Sequence, residues 1–158
     1  MKRLTAATLA TSALVFGTSV VAGSSRASSG AGVQFICTAA DKQFIDTVSS
    51  NMMQLSYWSD ALVAHDVDPS VVVKQARSEA DQIGATRPID RTLGATRNLL
   101  DSMFVEYSKA VAASAAGKDS SVHMRSAWRL ATSSHKLLTG AKDGLGSQGC
   151  DVSSLLVS

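Results

Sequence analysis

Apolar residues recur every three or four positions along most of this chain, and no stretch after the N-terminal segment alternates with a period of two. A spacing of three and four places side chains on one face of an α-helix, whereas a half-buried strand needs alternation. The clearest stripe consists of Phe44, Val48, Met52, Leu55 and Leu62. The pattern therefore predicts an all-α domain.

Capping signals divide the helical part into four segments, predicted at residues 39–65, 69–83, 88–115 and 120–142. Asp68 precedes Pro69, the order expected of a helix cap followed by the first helical residue. Gly84 is suited to end the second segment, and Pro88 to begin the third. Because joints this short favour antiparallel neighbours, the predicted architecture is an up-down-up-down four-helix bundle.

The N-terminal residues have the layout of a secretory signal peptide. Lys2 and Arg3 precede an uncharged apolar run that extends through Ala22. Small residues allow cleavage after Ala22 or after Ala27, and the sequence does not distinguish the two positions. We expect a protein that is secreted or held at the cell surface, with no stable membrane anchor after cleavage.

The predicted layout is a signal peptide at 1–27, a flexible linker at 28–36, a bundle domain at 37–150 and a C-terminal tail at 151–158. The 15 Lys and Arg residues of the chain include Lys2, Arg3 and Arg26, which leaves 12 in the chain from Ser28 against 13 Asp and Glu. A nucleic-acid partner requires a basic surface that displaces counterions from phosphates. This class of partner is therefore not expected.

Two cysteines, Cys37 and Cys150, lie at opposite ends of the predicted bundle domain. An exported domain with one pair of cysteines is expected to join them in a disulfide. An up-down-up-down bundle brings the start of its first helix and the end of its fourth to the same end of the molecule. For a loop of this length, chain entropy gives a stabilisation of about 4 to 5 kcal/mol.

The first and fourth predicted helices differ in charge. The first segment carries several acids, among them Asp46 and Asp60, against Lys42, whereas residues 118–142 contain five basic residues and one acid. This difference is suited to adjacent positions in the bundle, although exposed ion pairs add little stability.

The fourth segment contains the most suggestive candidate ligand, His135. A helical wheel predicts that one stripe faces the core, consisting of Met124, Ala127, Trp128, Ala131, His135 and Leu138. The same wheel directs Arg125, Arg129 and Lys136 toward solvent. His123 lies about 120° from His135 around the helix, too far for both to bind one metal ion.

Two roles remain open for an inward His135. It is either a core residue that forms a hydrogen bond with Tyr107 or Ser59, or a haem or metal ligand. The second ligand would come from other helices, and the candidates are Tyr107, Met103, Met52 and His65. Covalent c-type haem attachment is excluded because the chain contains no C-x-x-C-H sequence.

Two aromatic residues of the first segment raise a similar choice. Trp58 lies at the edge of the apolar stripe and is predicted to join the core. Tyr57 and Met53 lie on the opposite face, where they would form a small exposed apolar patch of the kind that can mark a partner surface.

The joint A-H-D-V-D-P-S-V-V-V-K-Q-A, residues 64–76, resembles the helix-to-helix joint of exported all-helical chorismate mutases. That resemblance implies an interior site in which arginines and a lysine hold a dianion. This chain departs from the pattern, since its first helix offers only Lys42 and the basic residues of the fourth are predicted to face outward. The overall layout is also similar to that of small exported actinobacterial haem carriers, which implies haem as a ligand.

Common catalytic motifs are missing from the sequence. It contains no G-x-S-x-G, no H-E-x-x-H and no phosphate-binding glycine loop, and both cysteines are assigned to the disulfide. We therefore expect an exported helical bundle that binds a partner or has a structural role, without catalysis. The alternatives are a haem or metal carrier that uses His135 and an enzyme whose site is assembled across the bundle.

Overall fold

The computed structural model describes residues 36–156, which form four α-helices and a final 3-10 turn. The helices are α1 (Ala39–Val63), α2 (Pro69–Ala85), α3 (Arg91–Ala115) and α4 (Ser121–Ser147), and the turn comprises Ser153–Leu155. The all-α four-helix prediction is confirmed. The predicted signal peptide and the linker through residue 35 lie outside the described residues, as do residues 157 and 158.

Local capping explains where the first three helices begin. Thr38 caps α1 in a reciprocal capping box with Asp41. As predicted, Asp68 caps α2, and its carboxylate accepts a hydrogen bond from the Ser70 N–H at 2.8 Å. The predicted start of α3 at Pro88 is wrong. The helix begins three residues later at Arg91, because the Asp90 carboxylate caps it there.

The C-terminal end of α4 also differs from the prediction, since the helix continues through Ser147 rather than ending at 142. Gly144 and Gly146 do not end it because Leu145, which lies between them, is buried in the core. The helix stops before Gly149, whose φ of 85° is in the left-handed region that favours glycine. Part of the segment predicted as a loop is therefore helical.

The Cys37–Cys150 disulfide is confirmed. The two Cα atoms lie 5.2 Å apart, and the Cys37 N–H donates a hydrogen bond to the Gln148 carbonyl at 2.8 Å. These contacts tie the start of α1 to the end of α4. A disulfide is typical of an oxidising, extracytoplasmic compartment. Within residues 36–156, no helix has the length and apolar character needed to cross a membrane.

The four helices pack in sequential order, and α3 forms the centre of the core. It contacts α2 on one side and α4 on the other, and α1 packs mainly against α2. The largest fully buried side chains include Phe44 of α1, Ile83 of α2, Leu93 and Phe104 of α3, and Leu138 of α4.

The backbones of α1 and α4 do not come close to each other. In the described part of the chain, no Cα atom of α1 lies within 8 Å of one in α4, and the 3-10 turn contacts both helices near the disulfide. No salt bridge joins them in residues 36–156, so the predicted pairing of an acidic and a basic helix is not observed within the chain. We call the open side between these two helices the α1–α4 seam.

Candidate functional site

The prediction that His135 lies in the core is wrong, because its side chain is exposed on α4. The neighbouring Ser134 is buried instead, on the same face as Ala127 and Leu138. Trp128 and Met124, also predicted to face inward, are 73 % and 45 % exposed. The wheel assumed that α4 is covered by helices on both sides of its apolar stripe, whereas only α3 packs directly along it.

One end of the α1–α4 seam holds a cavity of about 320 Å³, which we call the proximal cavity because it adjoins the C-terminal turn. Its lining is mostly apolar and includes Val48, Met52, Leu100, Trp128, His135 and Leu155. The volume is at the lower end of the range for sites that bind small molecules.

Few polar groups in the proximal cavity are free to bind a ligand. The Thr132 hydroxyl donates to the Trp128 carbonyl at 2.9 Å, and the Ser134 hydroxyl donates to the Ala131 carbonyl at 2.8 Å. His135 forms no hydrogen bond to any residue between 36 and 156, so its imidazole is the main polar group that a ligand there would meet. The cavity suits an apolar group that carries at most one polar atom near His135.

The other end of the seam holds a cavity of about 430 Å³, which we call the distal cavity. It lies near the joint between α1 and α2, and its lining includes Ser59, Val63, His65, Tyr107, Val111 and Met124. His65 follows the end of α1 and has a φ of 62°, a left-handed conformation that is uncommon for a residue other than glycine.

A hydrogen-bonded pair at 2.7 Å joins Ser59 of α1 to Tyr107 of α3 in the wall of the distal cavity. The Ser59 hydroxyl donates to the Leu55 carbonyl at 2.7 Å, which leaves the Tyr107 hydroxyl as the donor to Ser59. Both residues were predicted as partners of His135, but they bind each other.

The residues proposed from the sequence as haem or metal ligands do not form one group. Met52 and His135 line the proximal cavity, whereas His65 and Tyr107 line the distal cavity. Met103 is buried in the core with 5 % of its surface exposed. The structure therefore separates the candidate ligands into two pairs, one at each end of the seam.

His123 forms a hydrogen bond with Glu106 of α3. Its Nδ1 atom lies 2.8 Å from a Glu106 carboxylate oxygen, and the Lys109 ammonium lies 2.6 Å from the other oxygen. The hydrogen bonds from Lys109 and then from His123 lower the pKa of Glu106 below its ordinary value. These contacts join α3 to α4 and use the donors that a ligand would otherwise meet.

The second half of α1, residues 52–63, forms one wall of the seam and has no fully buried residue. Met52, Met53, Tyr57 and Val63 are 40 % to 80 % exposed, so the predicted apolar patch of Met53 and Tyr57 is confirmed. Trp58 is only half-buried rather than part of the core, and its ring packs edge-on against Tyr57 with the centroids 5.1 Å apart. This half of α1 presents apolar surface on more than one side.

The two cysteines and Asp41 lie close together but do not form a metal site. Their potential ligand atoms lie within 4.8 Å of one another, yet both sulfurs belong to the disulfide. The Asp41 carboxylate accepts hydrogen bonds from the Ile89 and Asp90 N–H groups at 2.7 and 3.0 Å and from Thr38. Burial would raise the pKa of Asp41, but these hydrogen bonds lower it below its ordinary value. The cluster is a structural joint.

Sequence reasoning missed Glu79, which is fully buried on α2. One carboxylate oxygen accepts a hydrogen bond from Gln75 at 3.2 Å, and the other has no partner in the described residues. Burial raises the pKa of Glu79 from its ordinary value of 4.5 to about 6, against a small opposing effect of Gln75. The sequence pattern could have predicted this burial, because Glu79 lies between Ala76 and Ile83 on the inner face of α2.

No family model, curated protein or solved structure matches this chain. Inference about its function therefore rests on the residues of the seam.

Proposed function

We propose that this protein is an exported, non-enzymatic binding protein that holds an apolar group of its partner or ligand in the α1–α4 seam. The observation that carries the proposal is the exposure of Met52, Met124 and Trp128 around two apolar cavities. Contiguous exposed apolar surface of this kind is typical of interaction sites. Trp is enriched among the residues that dominate binding energy, and Met adapts its shape to different partners.

The proposed location is outside the cytoplasm, either secreted or at the cell surface. The layout of residues 1–27 as a signal peptide supports export, and the Cys37–Cys150 disulfide supports an oxidising destination. The exposed apolar seam would then be available to extracellular partners.

In the two seam cavities, the titratable groups favour binding over catalysis. His65 and His135 line different cavities, and neither cavity has an acidic residue among its lining residues. No lysine or arginine is buried in residues 36–156, so the interior cations of a chorismate-mutase-like site have no counterpart there. An active site would require several such groups to converge on one point.

A dye that becomes fluorescent in apolar surroundings tests this proposal. We expect the disulfide-intact protein to bind 8-anilinonaphthalene-1-sulfonate, with energy transfer from Trp128 in a Trp58→Phe background. Trp128→Ala should weaken binding about tenfold, since it removes the largest exposed apolar side chain of the seam. Ile89→Ala is a matched control, because Ile89 is 63 % exposed but lies outside both cavities. Equal binding by the Trp128→Ala variant would reject the seam as the site.

A haem-carrier role is the second candidate, and one observation favours it. Met52 and His135 line the same cavity, and methionine and histidine together are a known pair of axial haem ligands. Haemin added to the protein should then give a shifted Soret band that is lost in His135→Ala and altered in Met52→Leu. No band shift, or an unchanged shift in His135→Ala, would reject this role and leave the apolar-binding proposal standing.

A further inference from the structure

The missing contact between α1 and α4 leaves two helices with exposed apolar side chains on the same face of the molecule. Trp128 of α4 is 73 % exposed, and Met52 and Val63 of α1 are 40 % and 80 % exposed. Within the described residues the C-terminal turn contacts both helices at the disulfide end, and Leu100 and Tyr107 of α3 line the cavities between them. A partner that brings its own α1 and α4 would supply to each helix the neighbour that it lacks.

The residues that line the cavities show which parts of α1 and α4 lie at the same level. Val48 and His135 meet in the proximal cavity, and Ser59 and Met124 meet in the distal cavity. The two helices therefore run antiparallel, and a residue of α1 can be matched to the residue of α4 at its level.

Charged residues lie along the outer edge of each helix. At 100° per residue, Asp60 lies about 80° from Met52 on the side away from the buried Asn51. Arg125 lies about 60° from Trp128, on the side away from the buried Ala127. Both charged side chains are exposed. The exposed apolar side chains of each helix, around Met52 on α1 and Trp128 on α4, are therefore bordered by charged residues on the solvent side.

These border charges have opposite signs at matching levels. In each of three pairs, the positions of the two residues along the helix axes differ by no more than about 3 Å, at a rise of 1.5 Å per residue. The pairs are Lys42 with Asp143, Asp46 with Lys136, and Asp60 with Arg125. None of these three pairs forms a salt bridge within the chain.

We infer that two copies of this chain associate through the α1–α4 seam, about a two-fold axis parallel to the helices. Such an axis places α1 of each copy across α4 of its partner at the same level, so that all three charge pairs face each other in both halves of the interface. A two-fold axis perpendicular to the helices would instead oppose α1 to α1 and place mostly acidic borders together. The partner copy then also covers the proximal and distal cavities, with its own Trp128 near Met52 and Leu55.

This inference rests on the proposed function only because both use the seam as a binding surface. The dimer and the apolar-binding function can each be rejected without the other. A monomer that binds the apolar dye through Trp128 retains the proposed function and overturns the dimer. A dimer that depends on Trp128 and does not bind the dye retains the dimer and overturns apolar-ligand binding.

Sedimentation equilibrium of the disulfide-intact secreted protein, between roughly 1 and 100 μM, measures the association directly. We expect a reversible dimer whose dissociation constant rises with salt, as the border charges are screened. Arg125→Glu should weaken the dimer at least tenfold, because the two-fold axis repeats the like-charge contact. Adding Asp60→Arg to Arg125→Glu should restore the affinity to within about threefold of wild type.

Arg77→Glu is the matched control, because Arg77 is exposed on α2, outside the seam, and carries the same change of charge. Trp128→Ala should also dissociate the dimer while leaving the monomer folded, since the side chain is mostly exposed in the monomer. A protein that stays monomeric up to 100 μM would overturn the inference. So would a dimer that Arg125→Glu does not weaken, or one that Arg77→Glu weakens equally.

Discussion

The two halves of α1 share one apolar stripe but have different surroundings. Residues 39–51 contribute Asp41, Phe44, Ile45, Val48 and Asn51 to the buried interior, whereas none of residues 52–63 is fully buried. Apolar periodicity alone does not separate the halves, since the stripe of Phe44, Val48, Met52, Leu55 and Leu62 crosses both. The comparison shows that a helical stripe reveals which face can be buried but not whether another element is present to cover it.

Polar and covalent contacts account for the difference. The first half is held by the disulfide, by the hydrogen bonds of Asp41 to the α2–α3 joint, and by the Asn51 amide, which donates to the Glu79 carbonyl at 3.1 Å. The second half has only two side-chain hydrogen bonds to other helices in the described residues, from Gln75 to Gln54 and from Tyr107 to Ser59. The strongly held half positions α1, and the weakly held half keeps the exposed apolar side chains that we propose as a binding surface.

Removal of the disulfide should have the largest effect on the first half of α1. The Cys37→Ser/Cys150→Ser variant should lose about 4 to 5 kcal/mol of unfolding free energy, because the bridge closes a loop with a sequence separation of 113. Chemical denaturation measures the loss, and wild-type protein reduced with dithiothreitol should match the variant. An unchanged denaturation midpoint would contradict the claim that the disulfide contributes most to holding the first half of α1 in place.

Asp41→Ala should have the next largest effect, a loss of about 2 to 3 kcal/mol of unfolding free energy. The substitution removes the acceptor of the Thr38 N–H in the capping box and leaves the Ile89 and Asp90 N–H groups without their acceptor. Asp46→Ala is the control on the same helix, since Asp46 is exposed. Equal losses in both variants would show that Asp41 does not anchor the first half of α1.

Glu79→Gln should stabilise the protein at pH 7 by about 2 kcal/mol, since it removes a buried charge. The folded-state pKa of about 6 is above the ordinary value of 4.5. The Glu79 contribution is therefore most favourable below pH 4.5 and is lost as the pH rises through 6.

The difference in unfolding free energy between Glu79→Gln and wild type should thus grow between pH 4.5 and 6 and then level off. Asp81→Asn is the control, because it removes one negative charge at an exposed position near Glu79 on the same helix. A difference that does not vary with pH would contradict a raised pKa at Glu79.

Tyr107→Phe should have the smallest effect, about 1 kcal/mol, because it removes one partly buried hydrogen bond to Ser59. Hydrogen exchange should become faster in residues 52–63 and stay unchanged in residues 39–51. Faster exchange in both halves would indicate that α1 opens as one unit, and the distinction between its halves would then be lost.

The parts of the fold that depend on nearby residues could be predicted from the sequence. The cap at Asp68 and Pro69 involves contacts within a few positions, and the helical period is visible in any window of the chain. The Cys37–Cys150 pairing was also predictable, because the chain has only two cysteines and the predicted topology brings their helix ends together.

The candidate site was predicted less well. His135, Trp128 and Met124 were expected in the core, yet they line an open seam. The residues that actually pair, Ser59 with Tyr107 and His123 with Glu106, lie 48 and 17 positions apart, and no local pattern links them. Glu79 carried a usable signal in its spacing, but the usual preference of glutamate for the surface argued against its burial.

The sequence by itself determined that this chain forms four helices, that Asp68 caps α2 and which cysteines join. Only the tertiary structure decided which face of α4 is buried and that α1 and α4 remain apart. The physical reason is that a helix is stabilised by contacts along its own chain, whereas burial depends on the position of the other helices. Ala127, Ser134 and Leu138 of α4 are buried, whereas its large Trp128 is left in the seam, where the backbones of α1 and α4 do not come close.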